Sequence, residues 1–167
     1  LSRKIFNYLN SRIKNETQLT KVIQNLFIDK VLEHHIEKIF DEKGDISDNA
    51  SENLKTIRKK IIEKKDNLRK IVNRILKTYS EKYLVQEEYI TMRDGRIVLP
   101  VKVEYKRQVK GFIHSESSTG QTVYIEPEET LDINNEILSL TFAEKREIDK
   151  ILYTITRKIG ENTLLLV

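Results

Sequence analysis

The sequence predicts a mostly α, α+β chain: a small helical base, two long antiparallel helices, and a small antiparallel β-sheet between them in the sequence. Three observations predict it. A stretch of about 30 residues from Ser51 carries heptad-spaced aliphatics with no Gly or Pro. The pattern then changes abruptly to two β-prone runs around Asp94-Gly95. Helical spacing returns at Ile133 and runs to Ile159. With 34% charged residues, 5 Gly and 2 Pro in 167 residues, long helices are favoured over a turn-rich sandwich.

Residues 1–50 read as short helices forming part of a core. Ile5, Phe6, Leu9 and Ile13 recur at helical spacing, as do Leu19, Val22, Ile23, Leu26 and Phe27. Asp29 is placed to cap a helix carrying Val31, Leu32, Ile36, Ile39 and Phe40. Glu42, Lys43, Gly44 and Asp45 make a turn, with Gly44 as the stop. Ser47 or Ser51 then caps the long helix of residues 51–84. Its apolar places are Leu54, Ile57, Ile61, Leu68, Ile71 and Ile75, with Lys64 as the polar intrusion. At 1.5 Å per residue such a helix is ~45 Å long.

Residues 85–127 read as an antiparallel β module. Tyr89 to Arg93 and Arg96 to Val103 flank Asp94-Gly95, a two-residue turn that needs positive φ at both places. Pro100 cannot donate a ladder bond and belongs at an edge or bulge. Gly111 to Ser115 and Gln121 to Ile125 supply two more strands around a Ser-Ser-Thr-Gly turn. Residues 128–167 return as a helix. Glu128 and Glu129 suit its first turn, and Ile133, Ile137, Leu140, Ile148, Ile151, Leu152, Ile155 and Ile159 are its apolar face. It can run back along the first long helix, with the sheet at their far end. Leu1 in place of an initiator methionine, and the bare ending Leu164, Leu165, Leu166, Val167, read as boundaries within a longer protein.

The absence of cysteine excludes disulfide frameworks, thiol nucleophiles and Cys-based zinc sites. No apolar run approaches the roughly 20 residues of a membrane span and no signal peptide opens the chain, so the expected setting is the cytoplasm, away from membranes. Net charge is +4, unevenly distributed. Glu52 to Tyr83 holds 11 Lys/Arg against 4 Asp/Glu, whereas Leu1 to Ser51 balances at 8 against 8. Such a segment suits a polyanion or is a solvated helix face. Candidate phosphate contacts are Arg58, Lys59, Lys65 and Arg69 on the helix. In the β module they are Arg93, Arg96, Lys106, Arg107 and Lys110.

Catalytic constellations are missing. There is no phosphate-binding loop and no nucleophile elbow. His34 and His35 are adjacent on a helix and point about 100° apart, so they do not chelate one ion from one face. Glu37 with Asp41, and Glu144 with Glu147, read as solvated helix charge. The segment GFIHSESSTGQTVYIEP, Gly111 to Pro127, is hydroxyl-rich, with Ser115, Ser117, Ser118, Thr119 and Thr122. Three readings stand: side-chain bonds to a turn backbone, phosphate binding with Lys110, or catalysis with His114 as base.

That segment, followed by LDINNEIL from Leu131 and EKREIDKIL from Glu144, resembles the second bacterial branch of the MutS family, the MutS-two subfamily. The likeness also includes Ile46, Asp48, Ala50 and Ser51 at the entry to the long helix, and an arginine-bearing hairpin leading to Leu99–Lys102. The family's turn motif is matched by His114, Ser115, Ser117 and Gly120, its Glu-Pro end by Glu126 and Pro127, and its Asn-Asn pair by Asn134 and Asn135. The match covers about two thirds of the chain, from Gly44 to Gly160; region 1–40 aligns with no motif. The resemblance implies lever helices and a clamp-like β module within a dimeric, DNA-embracing ATPase that binds ATP and Mg outside this chain. It further implies a branch without the mismatch-reading domain, often with an added nuclease domain, linked to recombination suppression and to rescue of stalled ribosomes. The chain itself is then expected to be non-catalytic, with no cofactor or metal of its own. Its expected role is nucleic-acid contact, with DNA preferred to rRNA, inside a full-length homodimer. The alternatives are a ribosome-binding module and a purely structural coiled-coil or dimerisation module.

Overall fold

A computed structural model describes residues 2–12, 29–85 and 89–161. The expected helix around Leu19 to Phe27, and the terminal Leu164 to Val167, lie outside the described residues, as does Ile13. The fold is mostly α with one small antiparallel sheet, as the sequence predicts. The chain forms two compact units, residues 1–51 with 148–167, and residues 52–147. These units group the segments read from sequence: both long helices and the β module contribute to the second.

The first unit contains α1 (Ser2–Arg12) and α2 (Lys30–Ile39). Asp29 caps α2 as expected, its carboxylate accepting from Val31 N at 2.8 Å and Leu32 N at 3.0 Å. The helix ends at Ile39, before Gly44, because Phe40 turns extended and bridges to Ile46. Gly44 instead serves the connecting turn, at φ 87°. Ser47 caps a short 3₁₀ turn, Asp48–Ala50, rather than the long helix. Arg3 pairs with Glu33 at 3.1 Å and, more loosely, with Glu37.

The second unit opens with α3 (Glu52–Glu81). Its buried line is Leu54, Ile57, Ile61, Leu68, Val72 and Ile75. Val72 therefore takes the place expected of Ile71, which is only partly buried, because a straight 3.6-residue helix drifts from a strict heptad. Lys64, the polar intrusion, forms an ion pair with Glu136. The helix stops in a Schellman arrangement: Leu84 N donates to Tyr79 O at 3.0 Å and Tyr83 N to Ser80 O at 2.9 Å. Tyr83 takes the left-handed position, φ 56°, that Gly usually fills.

The sheet comprises β1 (Thr91–Arg93), β2 (Arg96–Lys102), β3 (Gly111–Glu116) and β4 (Thr122–Pro127), in the order β1-β2-β4-β3 and all antiparallel. Asp94 and Gly95 both have positive φ, 50° and 77°, and Arg93 faces Arg96 across them. This is the predicted two-residue turn. Pro100 lies inside β2 rather than on an edge strand. It is tolerated because β1 stops pairing at Val98, while the next bond on that side runs from Lys102 N to Leu84 O. With period 2, the donor that Pro100 lacks would face the unpaired gap between them.

After a 3₁₀ turn at Glu128–Thr130, α4 (Leu131–Glu161) begins. Within the second unit α3 and α4 run antiparallel: Asn53 bonds Glu147, Arg58 pairs with Glu144 and Lys64 with Glu136, while Arg74 pairs with Glu129 of the 3₁₀ turn. The core joins Leu68, Val72 and Ile75 of α3 and Leu84 to Leu99, Val101, Val123 and Ile125 of the sheet, and to Ile133 and Ile137 of α4. The sheet thus packs on the C-terminal half of α3 and the first turns of α4.

Candidate nucleic-acid interface and a buried carboxylate cluster

At the end of β4 stands Glu126, only 1% exposed. A buried carboxylate is costly unless its lone pairs are filled. Here Oε1 accepts from Arg96 Nη1 at 2.8 Å and from Asn134 Nδ2 at 2.8 Å. Oε2 accepts from His114 Nε2 at 2.6 Å and from the same Arg96 nitrogen at 3.1 Å. Opposite an ionised carboxylate, the His114 tautomer that fits this contact carries hydrogen on Nε2. Arg96 Nη2 donates to Asn135 Oδ1 at 2.6 Å, and Asn134 Oδ1 accepts from Ile97 N at 3.4 Å.

Local structure aims each of these groups. The tight turn at Asp94-Gly95 delivers Arg96 at the start of β2. A β-bulge breaks the β3–β4 register: Ile113 faces Ile125 but Ser115 faces Tyr124, leaving His114 as the extra residue. Pro127 ends β4, and its carbonyl accepts from buried Thr130 Oγ1 at 2.8 Å, which turns the chain into α4 and presents Asn134 and Asn135. Gly111 is required where β3 begins, because a Cβ there would lie 2.1 Å from Glu126 O.

The family-motif residues therefore separate into two groups. His114, Glu126, Asn134 and Asn135 converge, together with Arg96. Ser117 and Gly120 form the turn: Ser117 N donates to Thr122 O at 2.8 Å, and Ser117 Oγ accepts from Thr122 N at 3.1 Å. Gly120 closes it at φ 70°. These bonds are those of a turn satisfied by its own side chains. Ser115 Oγ is buried and finds no hydrogen-bond partner among the described residues.

The basic candidates also divide. Arg96 was expected among the phosphate contacts, but its guanidinium is turned inward on Glu126 and Asn135, with the side chain 20% exposed. Arg58 donates from Nε to Glu144 at 2.7 Å and is likewise largely covered. Arg93 lies over the Tyr124 ring, 4.1 Å from its centroid, and donates to Met92 O at 3.0 Å. Lys106 is 4.0 Å from Glu116, and the well-exposed Lys59 is 3.9 Å from Glu63. Lys65, Arg69, Arg107 and Lys110 are exposed. The Arg93–Tyr124 stack and the Lys64–Glu136 pair were not foreseen; only the strand register and the helix pairing bring those residues together.

Tyr79 borders a cavity with Gln108, Lys110, Pro127, Glu128 and Glu129. Burial pushes its phenol above the ordinary value of 10.0, and the Glu129 charge adds to the shift. Among the described residues, no group of three or more His, Asp or Glu could hold a metal ion, and no helix is long and apolar enough to cross a membrane.

No family model matches the chain. Curated relatives called Endonuclease MutS2 are similar to most of it. That of Carboxydothermus hydrogenoformans is 41% identical over 145 residues, covering 87% of this chain and 19% of the relative. That of Clostridium kluyveri is 38% identical over 167 residues, 99% and 21%. That of Clostridium beijerinckii is 44% identical over 133 residues, 80% and 17%. The chain spans about a fifth of the length of the curated relatives it matches. By this likeness, maintained across nearly the whole chain, it belongs to the MutS-two subfamily of MutS-like proteins.

Proposed function

We propose that this chain is a non-catalytic, nucleic-acid-contacting segment of a MutS-two protein, its long helices acting as levers and its β module as a clamp. The observation that carries the reading is that Lys65 and Arg69 on α3 and Arg107 and Lys110 beside β3 are exposed and form no salt bridge among the described residues. Long flexible cations exposed to solvent suit a phosphate backbone, which binds by releasing counterions. DNA, branched or duplex, is the preferred target, in recombination control or repair. The full-length protein is proposed to work as a homodimer in the cytoplasm, with ATP and Mg bound outside this segment. Nuclease activity, which the relatives' name attributes to them, is likewise assigned elsewhere.

A structural reading has its own support, since Arg58, Lys64, Arg74 and Arg96 all bond within the second unit. One titration separates the two. The chain is mixed with duplex DNA, a four-way junction and ribosomes at several salt concentrations. Non-specific dissociation constants of about 10⁻⁴ to 10⁻⁶ M, with a log–log salt slope of about −0.9 per phosphate neutralised, are expected. Replacing Lys65, Arg69, Arg107 and Lys110 by Ala should flatten that slope. Absence of salt-dependent binding at low salt overturns the reading in favour of the structural one. Tighter binding to ribosomes than to either DNA moves the target to rRNA.

A further inference from the structure

We propose that Phe112 is a stacking platform for an unpaired base, so that the β module prefers single-stranded nucleic acid segments to continuous duplex. This rests on the nucleic-acid reading above and specifies its ligand. Phe112 is 63% exposed and its neighbour Ile113 48%, although β3 is held in the sheet on one side. A large aromatic left in water gains nothing from folding. Here it follows directly after Lys106, Arg107 and Lys110, so a cationic loop runs into an exposed ring within seven residues.

The platform is held firmly. Val109 is buried and anchors the loop in the core. Gln108 N donates to Tyr105 O at 2.9 Å, and Glu128 N to Lys110 O at 3.1 Å. Gly111 lets β3 lie against Glu126 closer than any Cβ allows. The carboxylate directly across from Phe112, that of Glu126, is covered and matched by Arg96, so it does not face an incoming phosphate. Glu116 is opposed by Lys106, leaving Arg107 and Lys110 for the backbone. Glu128 lines the same cavity as Lys110. An exposed ring on a held strand beside exposed cations is the combination by which single strands are bound without sequence choice. Bases within a duplex offer no open π-face to such a ring.

The chain has no tryptophan, so Phe112→Trp places a single indole reporter at the site. Four probes of equal length are used with the whole chain: oligo(dT), oligo(U), an abasic deoxy-oligonucleotide, and a duplex closed at both ends by non-nucleotide linkers. Indole quenching is expected with oligo(dT) or oligo(U) and not with the abasic strand or the closed duplex. Comparison of the two oligomers tells DNA from RNA. Phe112→Ala should weaken single-strand binding roughly 5- to 150-fold, the span of base–aromatic stacking on alanine substitution, and leave closed-duplex binding unchanged. Circular dichroism confirms that the variants fold. Binding to all probes with no quenching, or equal losses on single strand and duplex, overturns the stacking site and leaves the backbone reading intact. Binding to none of the probes overturns both.

Discussion

Replacing Glu126 by Gln removes one charge and no volume, and it tests whether the buried cluster holds the second unit together. In the wild-type chain each carboxylate oxygen accepts two bonds. Glutamine keeps one oxygen and puts an NH₂ where the other stood. If the oxygen stays toward Arg96 and Asn134, the NH₂ meets His114 Nε2, 2.6 Å away in the native geometry, and the ring must shift its hydrogen to Nδ1 to accept. If it flips, Asn134 loses its acceptor. Either way Arg96 remains four-fifths covered without a counter-charge. Removing one partner of a buried pair costs about 3–5 kcal/mol. The lower figure applies here, because Arg96 keeps Asn135 and some solvent. A loss of about 3 kcal/mol lowers Tm by roughly 6–12 °C for a chain of this length. Urea unfolding followed by circular dichroism measures it. A loss under about 1 kcal/mol would refute the idea that this cluster fastens β4 to α4. Arg96→Ala gives the companion result. If Arg96 is structural, stability falls while the salt slope of nucleic-acid binding stays. If it contacts phosphate, the slope flattens and stability holds.

Gly111→Ala should destabilise by about 1–3 kcal/mol through overpacking against Glu126 O, whereas Gly95→Ala, which meets nothing within 4 Å, should cost only the left-handed backbone penalty of about 1–2 kcal/mol. Chemical denaturation of both variants compares them, and the structural distinction is that only Gly111→Ala shifts the His114 ring resonances. Lys64→Met should change stability by less than about 1 kcal/mol, since both partners of its ion pair are about half exposed; a larger loss would mean the pair fixes helix register. Tyr79 is neutral when protonated and its folded phenol titrates above the ordinary 10.0. Its contribution is therefore fully present below pH 10 and is lost as pH rises through the folded value. Ultraviolet titration should show one phenol ionising late, and Glu129→Gln should bring it part of the way back.

Most of the fold was legible in local patterns. The α3 stripe, the Asp29 cap and the Asp94-Gly95 turn each follow from a few adjacent residues whose backbone preferences agree. Pro100 was legible only in part. A missing donor excludes a paired position, but where β1 stops pairing is decided by the sheet, not by Pro100. The site was less legible for the same reason. Charge counting treats Arg96 and Arg107 alike, yet one faces a buried carboxylate and the other faces solvent. That difference depends on Glu126 lying 30 residues away. His114 read as a possible base because it stands among hydroxyls; the bulge turns it toward Glu126 instead. The likeness to MutS-two sequences picked out His114, Glu126, Asn134 and Asn135 together, without indicating that they touch.

The convergence on Glu126 also has a mechanical meaning. Strands β2 and β3 and helix α4 each send a side chain to one carboxylate, which β4 carries. Those bonds span less than 3 Å and involve no loop that could stretch. A pull on the Asp94-Gly95 tip reaches the first turns of α4 through Arg96 and Glu126, in parallel with the backbone ladder. Arrayed this way, the bonds load together and yield together, so the sheet and the start of α4 should behave under force as one stiff part. Slack would be found instead at the exposed turn around Ser118 and Thr119, whose bonds stay within the turn.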